Sequence, residues 1–83
     1  MWYVYILKSE VKKWYYVGST NRLNDRVFEH NKGYVTSTKS YRPFKLVFNE
    51  KFDNESDARR YERKLKDKRL EKEQIINLIE KNS

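Results

Sequence analysis

The stretch WYYVGST, Trp14 to Thr20, decides the fold. Its first four residues are aromatic or β-branched and suit a strand. The Gly-Ser-Thr that follows suits a strand exit and the approach to a helix. Period-two alternation puts Trp14 and Tyr16 on one face and Tyr15 and Val17 on the other, so the two adjacent tyrosines need not share a role. Tyr15 reads as packing, which leaves Tyr16 free for chemistry. Gly18 reads as a backbone device, for a tight strand exit or for close approach of a phosphate.

Upstream, WYVYIL from Trp2 to Leu7 alternates two sets, Trp2, Val4, Ile6 against Tyr3, Tyr5, Leu7, and predicts a first strand. The polar connection KSEVKK makes an antiparallel hairpin the simplest pairing with WYYV. Tyr5 and Tyr16 can then lie on one sheet face. The opening apolar run is too short for a membrane span and has no basic region ahead of it, so a cytoplasmic protein is expected.

Downstream, Thr20 or Asn21 can cap a helix over about Arg22 to Asn31, where Leu23, Val27 and His30 recur at helical spacing. KGYVTSTKSYRP reads as a loop that offers Lys39, Tyr41 and Arg42 to a ligand. FKLVFNEKF alternates Phe44, Leu46, Phe48 against Lys45, Val47, Asn49 and predicts a third strand with one apolar face. NESDARRYERKLKDK starts with Asn54 or Ser56 as cap, and Ala58, Tyr61 and Leu65 form its apolar stripe with Glu62 at the border. Ile75, Ile76 and Ile79 mark one face of a last helix. The order is strand, strand, helix, strand, helix, helix: an α/β chain of the α+β type, with a small three-stranded antiparallel sheet covered by about three helices.

Eighty-three residues suffice for one compact domain and not for two, so a single domain over 1–83 is expected. Hydrophobic residues are 37% of the chain and aromatics 16%, so the core must rest on a few large side chains. The absence of cysteine excludes a disulfide framework and a thiolate metal site. Nineteen Lys plus Arg against twelve Asp plus Glu give a net charge of +7, which makes nucleic acid the leading partner. Solubility is the plainer reading of the same charge.

Arg26 and His30 stand one helical turn apart and could face one ligand. Each polar candidate also has an ordinary reading: Arg26 as an exposed helix arginine, His30 as a half-buried residue, Glu62 as a surface carboxylate paired with Lys66 or Arg59. What joins them is order along the chain. Tyr3-Val4-Tyr5, Tyr16-Val17-Gly18, GSTNRLNDRVFEHN, YRPFKLVF and ESDARRYERKLK together resemble the GIY-YIG nuclease superfamily in its small single-domain, UPF0213-like form. The resemblance covers nearly the whole chain. It departs at Tyr3, which stands where the first motif has glycine.

The resemblance implies a metal-dependent endonuclease that hydrolyses phosphodiester bonds in DNA. It assigns Glu62 as the single carboxylate on Mg²⁺ or Mn²⁺, Arg26 as the phosphate-binding guanidinium, Tyr16 to water activation, Tyr5 to positioning water or phosphate, and His30 to proton relay or phosphate contact. These assignments suit the chemistry: magnesium leans on few protein carboxylates, and a forked, permanent cation can hold a phosphate as charge builds. A phenol with its ordinary pKa near ~10 is a poor base, so a neighbouring cation is required. Asn77 is a weaker candidate and is left outside the set. The competing reading is a non-catalytic basic module in which Lys39, Arg42, Arg59 and Lys66 hold backbone phosphates and tyrosines stack on bases. A third reading makes the tyrosines core and the charge mere solubility.

Overall fold

The computed structural model describes residues 1–67, 76–78 and 80–81. Strand β1 runs Trp2–Ser9, β2 Tyr15–Thr20, helix α1 Leu23–Lys32, β3 Phe44–Phe52 and helix α2 Glu55–Asp67, with a 3₁₀ turn at Lys39–Tyr41. The strands form one antiparallel sheet in the order β2-β1-β3. The expected α+β arrangement is therefore present. Residues 76–78 and 80–81 are helical, while Ile75 and Ile79 of the expected last helix lie outside the described residues.

β1 is the central strand, and both of its faces are covered. Val4, Tyr5, Ile6 and Leu7 are buried in succession, as expected of a strand with layers on both sides. Alternation then sorts two cores. Val4, Ile6 and Val17 meet Ala58 and Leu65 of α2 on one face. Tyr5 and Leu7 meet Phe44, Trp14, Tyr16, Leu23 and Val27 on the other, under α1 and the loop before β3. The face division read from the hairpin holds: Tyr15 packs with the first cluster and Tyr16 with the second.

The third strand departs from simple alternation. Ile6 pairs with Phe48 but Leu7 pairs with Leu46, so β3 carries a bulge at Val47. One extra residue against β1 reverses the facing of everything beyond it. Phe44 and Leu46 stay on the α1 face, whereas Phe48 joins Val47 and Phe52 on the α2 face. Phe48 thus leaves the face that strict period two assigned to it, because the bulge resets the register.

Both helices begin for local reasons, and α1 also ends for one. Asn54 caps α2, its Oδ1 accepting from the Asp57 backbone N–H at 2.9 Å. α1 starts one residue later than expected: Arg22 occupies the N-cap position without a side-chain cap, and Thr20 Oγ1 accepts from the Arg22 N–H instead. Gly33 ends α1 in the left-handed conformation, φ 80°, with its N–H on the His30 carbonyl and the Tyr34 N–H on that of Glu29. The Arg42 guanidinium lies where a Gly33 side chain would begin.

Candidate active site

The site begins with the hairpin register. Tyr5 faces Gly18 directly across the β1/β2 pair, and Leu7 faces Tyr16. A Cβ at Gly18 would stand 2.6 Å from the Tyr5 hydroxyl oxygen and 2.9 Å from the edge of the Tyr16 ring. Glycine is required here because two tyrosine rings close over it. It sits inside β2 with ordinary backbone angles, so its role is room for side chains rather than a sharp exit from the strand.

Under these rings, α1 supplies His30, wholly buried. Its Nε2 lies 2.9 Å from the Tyr5 hydroxyl and its Nδ1 2.8 Å from Thr38 Oγ1, itself fully buried in the loop before β3. The His30 ring centre is 5.0 Å from that of Tyr16. Asn31, the next residue, ties α1 to the start of β3 by accepting from the Phe44 N–H and donating to the Phe44 carbonyl. Burial, with the Arg26 charge beside it, pushes the His30 pKa down from 6.5 to about 4, so the imidazole is neutral at neutral pH.

Tyr5 is just 1% exposed, and burial, reinforced by Tyr16, pushes its phenol well above the ordinary range. The nearby Arg26 guanidinium opposes this shift. Arg26 retains solvent access and also pairs with Glu29 at 3.1 Å; Glu29 binds Arg22 at 3.2 Å with its other oxygen. These two arginines hold the Glu29 carboxyl below its usual range. Tyr5 and His30 therefore lie behind the surface, and Tyr16 and Arg26 lie in front of them.

Glu62 arrives from the other side. α2 packs against the Val4–Ile6–Val17 face and so does not cover the Tyr5–Tyr16 face. From there Glu62 reaches the free edge of β2. One oxygen accepts from the Ser19 hydroxyl, and the other is 2.7 Å from Lys66 Nζ. Lys66 in turn hangs 5.8 Å from the centre of the Tyr16 ring. The Glu62 charge is close enough to contribute to the upward shift of Tyr5. A carboxylate from one face and a guanidinium from the other thus converge on the Tyr5–Tyr16 pair around an edge strand.

Other expected site residues are distributed unevenly. Arg59 and Lys66 line a groove with Glu62 and Arg63, although Arg59 also pairs with Glu55 at 2.5 Å. Lys39 and Arg42 sit together at the far end of α1, Arg42 donating to the Lys39 carbonyl. Tyr41 is partly buried: it stacks on Trp14 with centroids 3.9 Å apart, and the Ser9 hydroxyl donates to its carbonyl. Asn77 is exposed. Ser19, Thr38 and Arg63 were missed by sequence reasoning. Ser19 was within reach, since it alternates with Val17 toward the α2 face; Thr38 had no periodic signal in its loop.

Among the described residues, no three His, Cys, Asp or Glu side chains gather into a metal cage. A divalent ion that leans on one carboxylate and otherwise on water and substrate oxygen needs no such cage. The Glu62 carboxylate with the Ser19 hydroxyl beside it is an all-oxygen donor set of that kind, and the Lys66 ammonium stands where a cation would neutralise it.

Comparison with known proteins gives the family and the fold. The family described as the GIY-YIG catalytic domain matches residues 1–74. A UPF0213 protein of Clostridium perfringens (strain 13 / Type A) is 38% identical over 82 residues, covering 98% of this chain and 85% of that protein. A UPF0213 protein of Staphylococcus haemolyticus (strain JCSC1435) is 35% identical over 79 residues, covering 94% and 93%. The solution NMR structure of a UPF0213 protein from Bacillus halodurans, 33% identical, superposes with a TM-score of 0.57 over 94% of this chain and 85% of that one. This chain belongs to the GIY-YIG nuclease family, which implies a nucleic-acid substrate.

Proposed function

We propose that this protein is a metal-dependent endonuclease that hydrolyses phosphodiester bonds in DNA at the β2 edge. The observation that carries the reading is that Glu62, paired with a lysine that hangs over the Tyr16 ring, and Arg26, near Tyr5, come from helices on opposite sheet faces to one end of the β1/β2 pair. A packing role would not bring a carboxylate and a guanidinium to the same pair of phenols.

Arg26 holds a nonbridging phosphate oxygen, and its fixed charge meets the negative charge that grows as water attacks. Tyr16, half-exposed beside it, accepts a hydrogen bond from the attacking water and aims it at phosphorus. Glu62 would hold Mg²⁺ or Mn²⁺ with Ser19 alongside, after Lys66 swings away; Lys66 is on the surface, so this costs little. The ion would supply Lewis acidity toward the phosphate and leaving oxygen. Tyr5 and His30, closed to solvent, support Arg26 and Tyr16 from behind rather than touch substrate.

One observation favours a non-catalytic binding module: the two key charges already have protein partners, Glu62 with Lys66 and Arg26 with Glu29. In that reading Lys39, Arg42, Arg59 and Lys66 hold phosphates and no bond is cut. Incubation with single-stranded, duplex and branched DNA and with RNA, in Mg²⁺ or Mn²⁺, separates the two. Nicking of DNA that disappears in both Glu62→Ala and Arg26→Ala supports hydrolysis. Salt-sensitive binding without cleavage on any substrate selects the module, and cleavage of RNA alone overturns the assignment to DNA.

A further inference from the structure

The polar groups behind the site form a chain with a direction. Thr38 Oγ1 lies 3.3 Å from the Val35 carbonyl and 2.8 Å from His30 Nδ1. A hydroxyl whose proton goes to a carbonyl can only accept from the imidazole, which makes Nδ1 the protonated nitrogen. His30 Nε2 is then an acceptor and takes the Tyr5 hydroxyl proton at 2.9 Å. The far end requires the same direction. The Arg26 guanidinium, which has donors and no acceptor, is close enough to Tyr5 to oppose the upward shift of its phenol. If Nε2 carried the proton instead, imidazole and guanidinium would both donate to one phenol oxygen, and the phenol proton would point at a cation.

We propose that Thr38 is a positioning residue for the hydrolysis: by accepting from His30 Nδ1–H it fixes the imidazole tautomer, which turns the Tyr5 hydroxyl away from Arg26 and leaves its oxygen to orient the guanidinium for phosphate. The proposal rests on the hydrolytic reading above for its consequence, and on the Tyr5–His30–Thr38–Val35 distances for its hydrogen bonds. No group in the chain changes charge, and no proton is transferred. The burial of Thr38, His30 and Tyr5 is what makes the direction enforceable, because water cannot substitute for a misdirected partner. It also explains why a threonine stands fully buried in an otherwise irregular, exposed loop.

The chain has a single histidine, so its imidazole nitrogens can be followed without ambiguity by ¹⁵N–¹H long-range correlation in the intact protein. At neutral pH the wild type should show Nδ1–H with Nε2 as acceptor. Thr38→Val, close in shape, should shift the population toward Nε2–H and slow Mg²⁺-dependent DNA nicking about tenfold, the scale seen when a supporting hydrogen-bond partner is lost. Thr38→Ser, which keeps the hydroxyl, should restore both. An Nε2–H wild type overturns the proposal, as does an unchanged tautomer in Thr38→Val. A shifted tautomer with undiminished nicking removes the link between Thr38 and the reaction. If the wild type cuts no DNA while its tautomer is Nδ1–H, the hydrolytic reading fails, and the role of Thr38 in it falls too; the hydrogen-bond chain itself stands. If Thr38→Val does not fold, Thr38→Ala is read in the same two ways, and an Nε2–H wild type overturns the proposal without either variant.

Discussion

The two faces of the sheet are closed by different chemistry. On the α2 face, Val4, Ile6 and Val17 meet Ala58 and Leu65, an aliphatic centre ringed by partly buried aromatics, with no polar group among the described residues of its buried cluster. On the α1 face, the burial is mainly aromatic and is threaded by Tyr5, His30 and Thr38, each hydrogen-bonded to the next. The first face gains its stability from apolar area, which has no preferred direction. The second depends on partners at fixed angles and gains less stability per residue, but it fixes where individual atoms point. Glu62 belongs by packing to the first face and by position to the second. That arrangement lets the two be separated by mutation.

The largest effect should come from Glu62→Ala. Nicking should fall about a thousandfold, the several kcal/mol that a metal and its ligand supply at the transition state. Its protein contacts are one serine and one surface lysine, so the thermal midpoint should barely move. Tyr16→Phe should lower nicking about a hundredfold, also with little change in stability. A large loss of stability in either variant would show that the site and the α2 core are not separable. Leu65→Ala is the mirror experiment. It should cost about 3 kcal/mol in urea denaturation while leaving the nicking rate per folded molecule intact.

How much of this was legible in advance follows from the same contrast. Alternation along Trp2–Leu7 and Trp14–Val17 gave the hairpin and its faces, because a buried face demands strict period two. Phe48 was misplaced because the Val47 bulge lies in backbone pairing that leaves no mark on hydropathy. The α2 stripe of Ala58, Tyr61 and Leu65 identified a buried helix face without saying which sheet face it would meet. Thus Glu62 was found by its place in the family pattern, whereas its approach around the β2 edge was not. Ser19 and Thr38 illustrate the harder limit: a hydroxyl that acts through a hydrogen bond looks, in sequence, like any loop or strand hydroxyl.

The polar face should also be the acid-sensitive one. His30 takes a proton near pH 6.5 in the unfolded chain but only near about 4 when folded, so between these values the unfolded state binds more protons. The stability contributed by neutral His30 is full above about pH 6.5 and is lost progressively as pH falls toward 4, by up to roughly 3 kcal/mol. Tyr5 on β1, Tyr16 on β2 and Arg26 and Glu29 on α1 surround this group; Arg26 favours the neutral imidazole and Glu29 opposes it. Urea midpoints measured from pH 7 to pH 4 in wild type and His30→Gln should diverge across that window. Parallel curves would mean that His30 is not held neutral.

The smallest effect should be that of Tyr15→Phe, the neighbour of Tyr16 with its side chain on the aliphatic face. Its hydroxyl donates to Glu80 at 2.6 Å, and burial together with that carboxylate pushes the phenol up to about 12, so the proton stays on Tyr15 throughout the working range. The ring supplies the packing, and phenylalanine keeps it. The lost hydrogen bond is at the surface and should cost about 0.5 kcal/mol, read as a small shift in the urea midpoint with no change in nicking. The two tyrosine-to-phenylalanine changes remove the same atom from adjacent residues. Alternation across β2 predicts that one change is felt in the rate and the other, faintly, in stability; a rate loss in Tyr15→Phe comparable to that in Tyr16→Phe would place the chemistry on both faces.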